Sequence, residues 1–245
     1  QYLKLCGVTD LMRKCTDKVS VRDYVREKIG EEYLKPVLQI CDNFDQIDFE
    51  SLPNSFVIKC NHGCKWHFII KNKENFLKVE KLLGVIKQQT TGWLEQEYCW
   101  WNGLELQYRG IEPKIIIEPL LRDEINTPCE EIQVYCFNGI PEYVVKFQNY
   151  KNSSESLYDK KLNLKDYTLF KGDTRVIEQA DGNIKKVMEL SKQLAGNFYA
   201  VRIDWMLYRN RLYFEEMTFT PYSGFNKGIN SELNKQFGKL IKLER

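Results

Sequence analysis

The chain has no apolar run approaching the roughly 18 residues that a membrane span requires, so no transmembrane helix is expected. Gln1–Asp10 lacks a basic stretch leading into an apolar one, so no secretory signal is expected there either. Neither sign of charge is in excess. Against 36 Lys and Arg stand 34 Asp and Glu, scattered among one another, which describes a solvated surface rather than a nucleic-acid footprint. No internal repeat, low-complexity tract or Gly/Ser linker divides the sequence. Regular strand–helix alternation is missing too, which argues against a doubly wound parallel sheet. With 43% hydrophobic and 29% charged residues over 245 positions, the chain is an ordinary globular sequence, long enough for one large domain or two closely packed lobes.

Cysteine is present: Cys6, Cys15, Cys41, Cys60, Cys64, Cys99, Cys129 and Cys136. Most sit in apolar segments, and a chain of this size does not depend on staples, so reduced thiols in a cytoplasmic protein are expected.

Residues 9–30 read as helical, with Ser20 as a cap, Val21, Val25 and Ile29 along one face and Gly30 as the stop. Strands are expected at Phe56–Cys60 and His67–Ile70, on either side of the loop NHGCKW. Asn72 then caps a helix reaching about Leu83, with Phe76, Val79, Leu82 and Leu83 as its buried stripe. Thr90–Trp101 predicts another helix, and PKIIIEPLL a buried strand between Pro113 and Pro119. Two hairpins follow, one turning at Asn138-Gly139 and one near Arg209-Asn210. Between them lie residues 149–180, polar and irregular, read as a mobile loop, and a helix marked by Ile184, Val187, Met188 and Leu194. The order is that of an α+β protein with antiparallel sheets.

Two clusters carry chemistry. Arg202 and Asp204 are two apart on one strand and share a face; Glu216 and Thr218 do the same on the returning strand. Paired carboxylates at that spacing suit magnesium, which takes oxygen ligands and is shared with substrate phosphates. Arg202 can steady negative charge on a phosphoryl or tetrahedral centre. An exposed cross-strand salt bridge accounts for the same residues equally well. The second cluster is Lys59, on an otherwise apolar strand where an ammonium needs an anion. The loop after it offers N–H groups at Asn61, His62 and Gly63. Lys146, ending the EYVVKF strand, can reach phosphate or simply point outward. Cys60, His62, Cys64 and His67 are zinc-type ligands without zinc-type spacing, and packing roles are expected instead.

Taken together, DKVSVRDYVREKIGEEYLKPVL, LPNSFVIKCNHG, PKIIIEPLL, QVYCFNGIPEYV and VRIDWMLYRNRLYFEEMTFTPYSGF resemble, in that order, the TupA-like branch of the ATP-grasp superfamily, associated with teichuronopeptide and capsular polysaccharide synthesis. The resemblance implies an ATP-grasp fold, two antiparallel-sheet lobes clasping MgATP. It divides the chain into a helical segment at 1–50, a first lobe at 51–121 and a second at 122–245. It implies that Lys59 and Lys146 are phosphate lysines, and that Glu118, Pro119, Leu120 and Leu121 form the hinge meeting adenine. Asp204 and Glu216 become the magnesium carboxylates, with Thr218 where many members carry asparagine, and Arg202 stabilises an acyl-phosphate step. Cys64 and Lys65 depart from the small pair expected in NHGSGW. The implied reaction joins a sugar acid to an amino acid or amine. A phosphotransferase, a glycosyltransferase of the same pathway and a nucleotide-binding module without turnover are the alternatives.

Overall fold

The computed structural model describes residues 1–101, 103–121, 130–149, 154–225 and 228–243. The chain divides into two compact units, residues 1–23 with 35–121 and residues 24–34 with 122–245.

The chain opens on α1 (Tyr2–Cys6) and α2 (Asp10–Thr16), the latter capped by the Thr9 hydroxyl, which accepts from the Met12 N–H at 3.2 Å. The helical stretch expected over 9–30 forms as two helices, the second starting at Val21. Asp17 accepts from the Val19 N–H at 2.9 Å and from the Ser20 hydroxyl at 2.7 Å, so Ser20 bonds backward instead of capping forward. The second piece, α3 (Val21–Ile29), buries Val21 and Val25 and stops at Gly30, where φ is 103°.

Beyond it come β1 (Gln39–Cys41), β2 (Phe56–Cys60), β3 (His67–Ile70), α4 (Lys73–Lys78), α5 (Glu80–Leu94), α6 (Tyr98–Trp101) and β4 (Ile115–Pro119). The four strands form an antiparallel sheet in the order β1-β4-β2-β3. One face is apolar: Phe56 and Ile58 of β2 meet Ile115 and Ile117 of β4, together with Ile70, Phe76 and Ile86. Lys59 and Glu118 therefore project from the other face.

Asn72 does cap α4, accepting from the Asn75 N–H at 2.8 Å. The helix breaks at Val79, however, and Val79 and Leu82 are 49% and 44% exposed. The break rotates the buried stripe, which runs through Phe76, Ile86 and Thr90 instead. Thr90–Trp101 is likewise two pieces, the end of α5 and α6.

In the second unit β5 (Glu130–Phe137), β6 (Ile140–Asn149), β7 (Ser154–Asp159), β8 (Thr174–Arg175), α7 (Gly182–Ala195), β9 (Ala200–Tyr208), β10 (Arg211–Thr218) and α8 (Ser231–Leu240) follow in order. The sheet runs β10-β9-β5-β6-β7-β8, antiparallel except for the β7–β8 edge. Both hairpin turns take the conformation their sequences suggest, with φ of 48° and 75° at Asn138-Gly139 and 49° and 60° at Arg209-Asn210. Gly139 is also required for space, since a Cβ there would lie 2.1 Å from the Gly196 carbonyl oxygen.

The mobile loop expected over 149–180 is overturned for its described part; residues 150–153 lie outside the described residues. β7 buries Glu155, Ser156, Leu157 and Tyr158, and Leu169 is fully buried. Glu155 explains why so polar a segment is ordered: its carboxylate accepts the N–H groups of Leu169 and Phe170, the latter at 3.3 Å. The amphipathic helix α8 was not foreseen.

The two faces of this sheet differ. Ile132, Val134, Ile203 and Trp205 look toward α7, where the Trp205 indole N–H donates to the Ser191 hydroxyl at 2.8 Å. Tyr135, Phe137, Val145 and Leu157 pack with Leu169 and with Leu233 and Phe237 of α8. That second face carries Arg202 and Asp204.

Candidate functional site

In the first unit, Val57 pairs with Glu118 across β2–β4, so Lys59, two residues on, is the diagonal same-face neighbour of Glu118. Lys59 Nζ donates to Glu118 Oε2 at 2.6 Å, and Lys35 Nζ lies 3.3 Å from the same oxygen. The anion that a strand-borne ammonium calls for is thus supplied from within. Burial alone would push the Glu118 carboxyl up; Lys35 and Lys59 overcome it and hold the group at about 2. Pro119, Leu120 and Leu121 continue from β4 as half-buried residues.

The loop after β2 is held by its own side chains. The Asn61 amide donates to Asp17 Oδ1 at 2.8 Å and to the Glu112 carbonyl at 2.9 Å, while its oxygen accepts from the Lys114 N–H at 2.7 Å. His62 Nε2 lies 3.0 Å from the Trp93 carbonyl oxygen, and burial lowers its pKa. A Cβ on Gly63 would fall 2.4 Å from the Trp66 ring, which is itself stacked on Trp93. Asn61 and His62 thus build the loop with their side chains, and Gly63 leaves room for the Trp66 ring. Among the described residues no three His, Cys, Asp or Glu are grouped to hold a metal ion. The rings of Trp66, Trp93, Tyr98 and Tyr108 pack on one another, whereas Trp100 and Trp101 are exposed.

In the second unit, β9 and β10 bring the acid cluster together. Asp204 pairs with Glu216 and Arg202 with Thr218. A two-residue turn alone would set Glu215 opposite Asp204; a bulge between Phe214 and Glu216 inserts one residue and turns Glu216 to the site. Arg202 forks onto Asp204 with Nε–Oδ1 of 2.7 Å and Nη2–Oδ2 of 2.6 Å. The same Nη2 donates to Glu216 Oε1 and to the Thr218 hydroxyl, each at 3.2 Å, and that hydroxyl donates to Glu216 at 2.9 Å. Burial pushes the Asp204 carboxyl above the usual range and Glu216 adds to the rise, opposed by the Arg202 fork. The Tyr222 ring covers the guanidinium at 5.9 Å, from a turn in which Tyr222 and Ser223 both have positive φ, 55° and 54°.

Lys146 does not join this cluster. It pairs with Ile132, which also pairs with Trp205, so its side chain lies on the α7 face, opposite to Asp204. There Glu130, Glu178 and Asp181 surround its ammonium at 3.1, 3.5 and 3.7 Å. Lys146 and the acid cluster thus lie on opposite faces of the sheet.

A model of the TupA-like ATP-grasp family matches residues 1–242. This chain belongs to that family. None of the curated proteins matches it. Among solved structures it is similar to the D-alanine–D-alanine ligase from Bacillus anthracis complexed with ATP, at 15% identity and a TM-score of 0.50, over 89% of this chain and 60% of that one. The D-alanine–D-alanine ligase from Helicobacter pylori gives 12%, 0.51, 93% and 61%, and the D-cycloserine synthetase DcsG gives 12%, 0.51, 94% and 70%. These likenesses show a shared ATP-grasp fold. The chain spans roughly three-fifths of the length of the first ligases it matches, 60% to 65%.

Beyond the residues read from sequence, this TupA-like protein adds Lys35 to the Lys59–Glu118 pair, and Glu131, Gln133 and Tyr135 beside the acid cluster. Gln133 and Tyr135 pair with Asp204 and Arg202. The Tyr135 hydroxyl donates to Gln133 at 3.1 Å, and the Gln133 amide to Glu131 at 2.7 Å. Their alternation on β5 was visible, but that β5 lies beside β9 was not.

Proposed function

We propose that this chain is an ATP- and magnesium-dependent carboxylate–amine ligase, acting in the cytoplasm on a sugar acid and an amino acid or amine in surface polysaccharide synthesis. The observation that carries the reading is the group Arg202–Asp204–Glu216–Thr218 in a protein of the ATP-grasp family. Two carboxylates and a hydroxyl on neighbouring strands form an all-oxygen donor set of the kind magnesium takes, so the residues fit the ion. Asp204 and Glu216 would hold it, with Thr218 in support, and it would neutralise charge on the transferred phosphoryl group. Lys59 is the proposed phosphate lysine of the first lobe at 51–121, with Glu118–Leu121 as the adenine hinge. The acid cluster belongs to the second lobe at 122–245, and residues 1–50 precede both.

The chemistry has two displacements. A carboxylate oxygen of the acid attacks the γ-phosphorus of ATP, the bond to the bridging oxygen breaks, and ADP leaves with an acyl phosphate formed. The amine nitrogen then attacks the acyl carbon, inorganic phosphate leaves and the nitrogen loses a proton, giving the amide. The protein's share is positioning and charge. Arg202 is always cationic and keeps its fork planar, suited to the oxygens that gain charge in both steps. Its place against Asp204 is fixed before substrate arrives, so little reorganisation is needed.

The test is the melting temperature with ATP plus magnesium, beside ATP alone, for the wild type and for Lys59→Ala and Glu216→Ala. Ligand that binds only the folded state must raise it by mass action. A magnesium-dependent rise lost in both variants supports the site; no shift in a cooperatively melting protein sinks it. Product analysis then separates the ligase, which releases ADP and phosphate with an amide, from a phosphotransferase, which releases ADP alone.

A further inference from the structure

Nothing in the sequence around Lys35 marks it as part of a site, yet the fold brings its ammonium to 3.3 Å from Glu118 Oε2, the oxygen that Lys59 holds at 2.6 Å. One carboxylate oxygen is shared by two ammonium groups. The two are not equally enclosed: the side chain of Lys35 is 7% exposed and that of Lys59 is 19% exposed.

We propose that Lys35 is a positioning residue that frees Lys59 for a nucleotide phosphate by keeping Glu118 neutralised when Lys59 turns away. The inference rests on the reading of Lys59 as a phosphate ligand. Its physical basis is the asymmetry of buried ion pairs: leaving a buried carboxylate without a cation is far costlier than weakening one of two contacts to it. With a single lysine on Glu118, every nucleotide-binding event would strand that carboxylate. With two, the more open Lys59 can leave while the more enclosed Lys35 stays. Lys35 also has its backbone pinned, since its carbonyl oxygen accepts from Arg22 Nη2 at 2.8 Å. In this arrangement Lys35 touches no ligand; it acts through Glu118.

The experiment is calorimetric titration of the full chain with ATP in the presence of magnesium. The set is the wild type, Lys35→Met, Lys35→Gln, Glu118→Gln and the double variant Lys35→Met/Glu118→Gln. Lys35→Gln keeps a donor for the Glu118 oxygen and guards against a folding failure of the methionine variant. Either loss of the Lys35 charge should weaken ATP binding about tenfold, because Glu118 then clamps Lys59 alone. With Glu118 already neutral there is no clamp to relieve, so adding Lys35→Met should change affinity less than about twofold. Equal losses in both backgrounds overturn the proposal, since they would mean that Lys35 meets the phosphate itself. No loss in either background overturns it as well. A wild type that does not bind ATP with magnesium refutes the nucleotide reading on which the proposal rests, a result distinct from the other two.

Discussion

The two ion clusters are mirror images in charge. In the first unit one carboxylate, Glu118, is shared by two ammonium groups; in the second one guanidinium, Arg202, is shared by two carboxylates. In each, the more enclosed partner is held beside a more open one: Lys35 at 7% beside Lys59 at 19%, and Asp204 at 7% beside Glu216 at 32%. An ion with two partners can lend one of them to a ligand without being stranded, which a simple buried pair cannot do. The clusters differ in how the shared ion is held. Arg202 reaches all its partners through a planar fork and lies under Tyr222, whereas both lysines converge as point charges on one oxygen.

The largest effects should come from removing the shared ion. Arg202→Met leaves Asp204 buried beside Glu216, and Glu118→Leu leaves two ammonium groups facing each other. Each should cost about 3–5 kcal/mol in urea unfolding, as buried charges deprived of their partner do. Removing an outer partner, as in Glu216→Gln, should cost about 1 kcal/mol or less, because Arg202 keeps its fork on Asp204. Equal costs for the shared ion and the outer partner would break the comparison.

Sequence and structure agree where the chain's local chemistry decides the outcome. The two-residue turns, the apolar strands and the Asn72 cap are local, and they were legible. Partnerships formed between distant strands were not. Lys35 meets Glu118 across more than eighty residues, and no spacing rule connects them. Glu216 stands opposite Asp204 only because of the bulge at Glu215, which nothing in RLYFEEMTF announces. The face that Lys146 occupies was not legible for a related reason: its strand was clear, but the face depends on register. The strand at 154–159 was hidden because its ordering rests on a buried glutamate that composition reads as a loop residue.

The pH dependence of stability should set Glu118 against Glu155, a second buried glutamate. Glu118 is held at about 2 against an ordinary value of 4.5. A lowered folded-state pKa means that the unfolded chain binds the proton more readily. Its contribution, about 3 kcal/mol, is therefore fully present above pH 4.5 and is lost as pH falls toward 2. Glu155 behaves oppositely. Burial raises it to about 7, against the N–H bonds from Leu169 and Phe170, with the Asp173 carboxylate facing it and adding to the rise. It stabilises the fold when protonated, and on the order of 1–2 kcal/mol is lost as pH climbs from 4.5 through 7, after allowance for solvent screening. Urea midpoints between pH 3 and 8 should show both limbs. Glu155→Gln should flatten the upper limb and leave the acid limb unchanged; an upper limb that survives the substitution would have another origin.

The smallest effect concerns Lys65, in the first unit's loop after β2. It is exposed and has φ of 61°, so its conformation costs a side chain about 1 kcal/mol that glycine would not incur. Lys65→Gly should leave stability unchanged or raise it by a few tenths of a kcal/mol, since relief of the left-handed backbone is offset by the greater freedom of glycine when unfolded. The loop beneath it is fixed by Asn61, His62 and the Trp66–Trp93 stack rather than by Lys65. ATP affinity with magnesium should then fall less than about twofold, the size of a screened, mobile charge. A loss of about tenfold or more would place the Lys65 ammonium on the phosphates. The first unit would then hold its anion with a lysine that needs no release from Glu118, and its likeness to the acid cluster would end there.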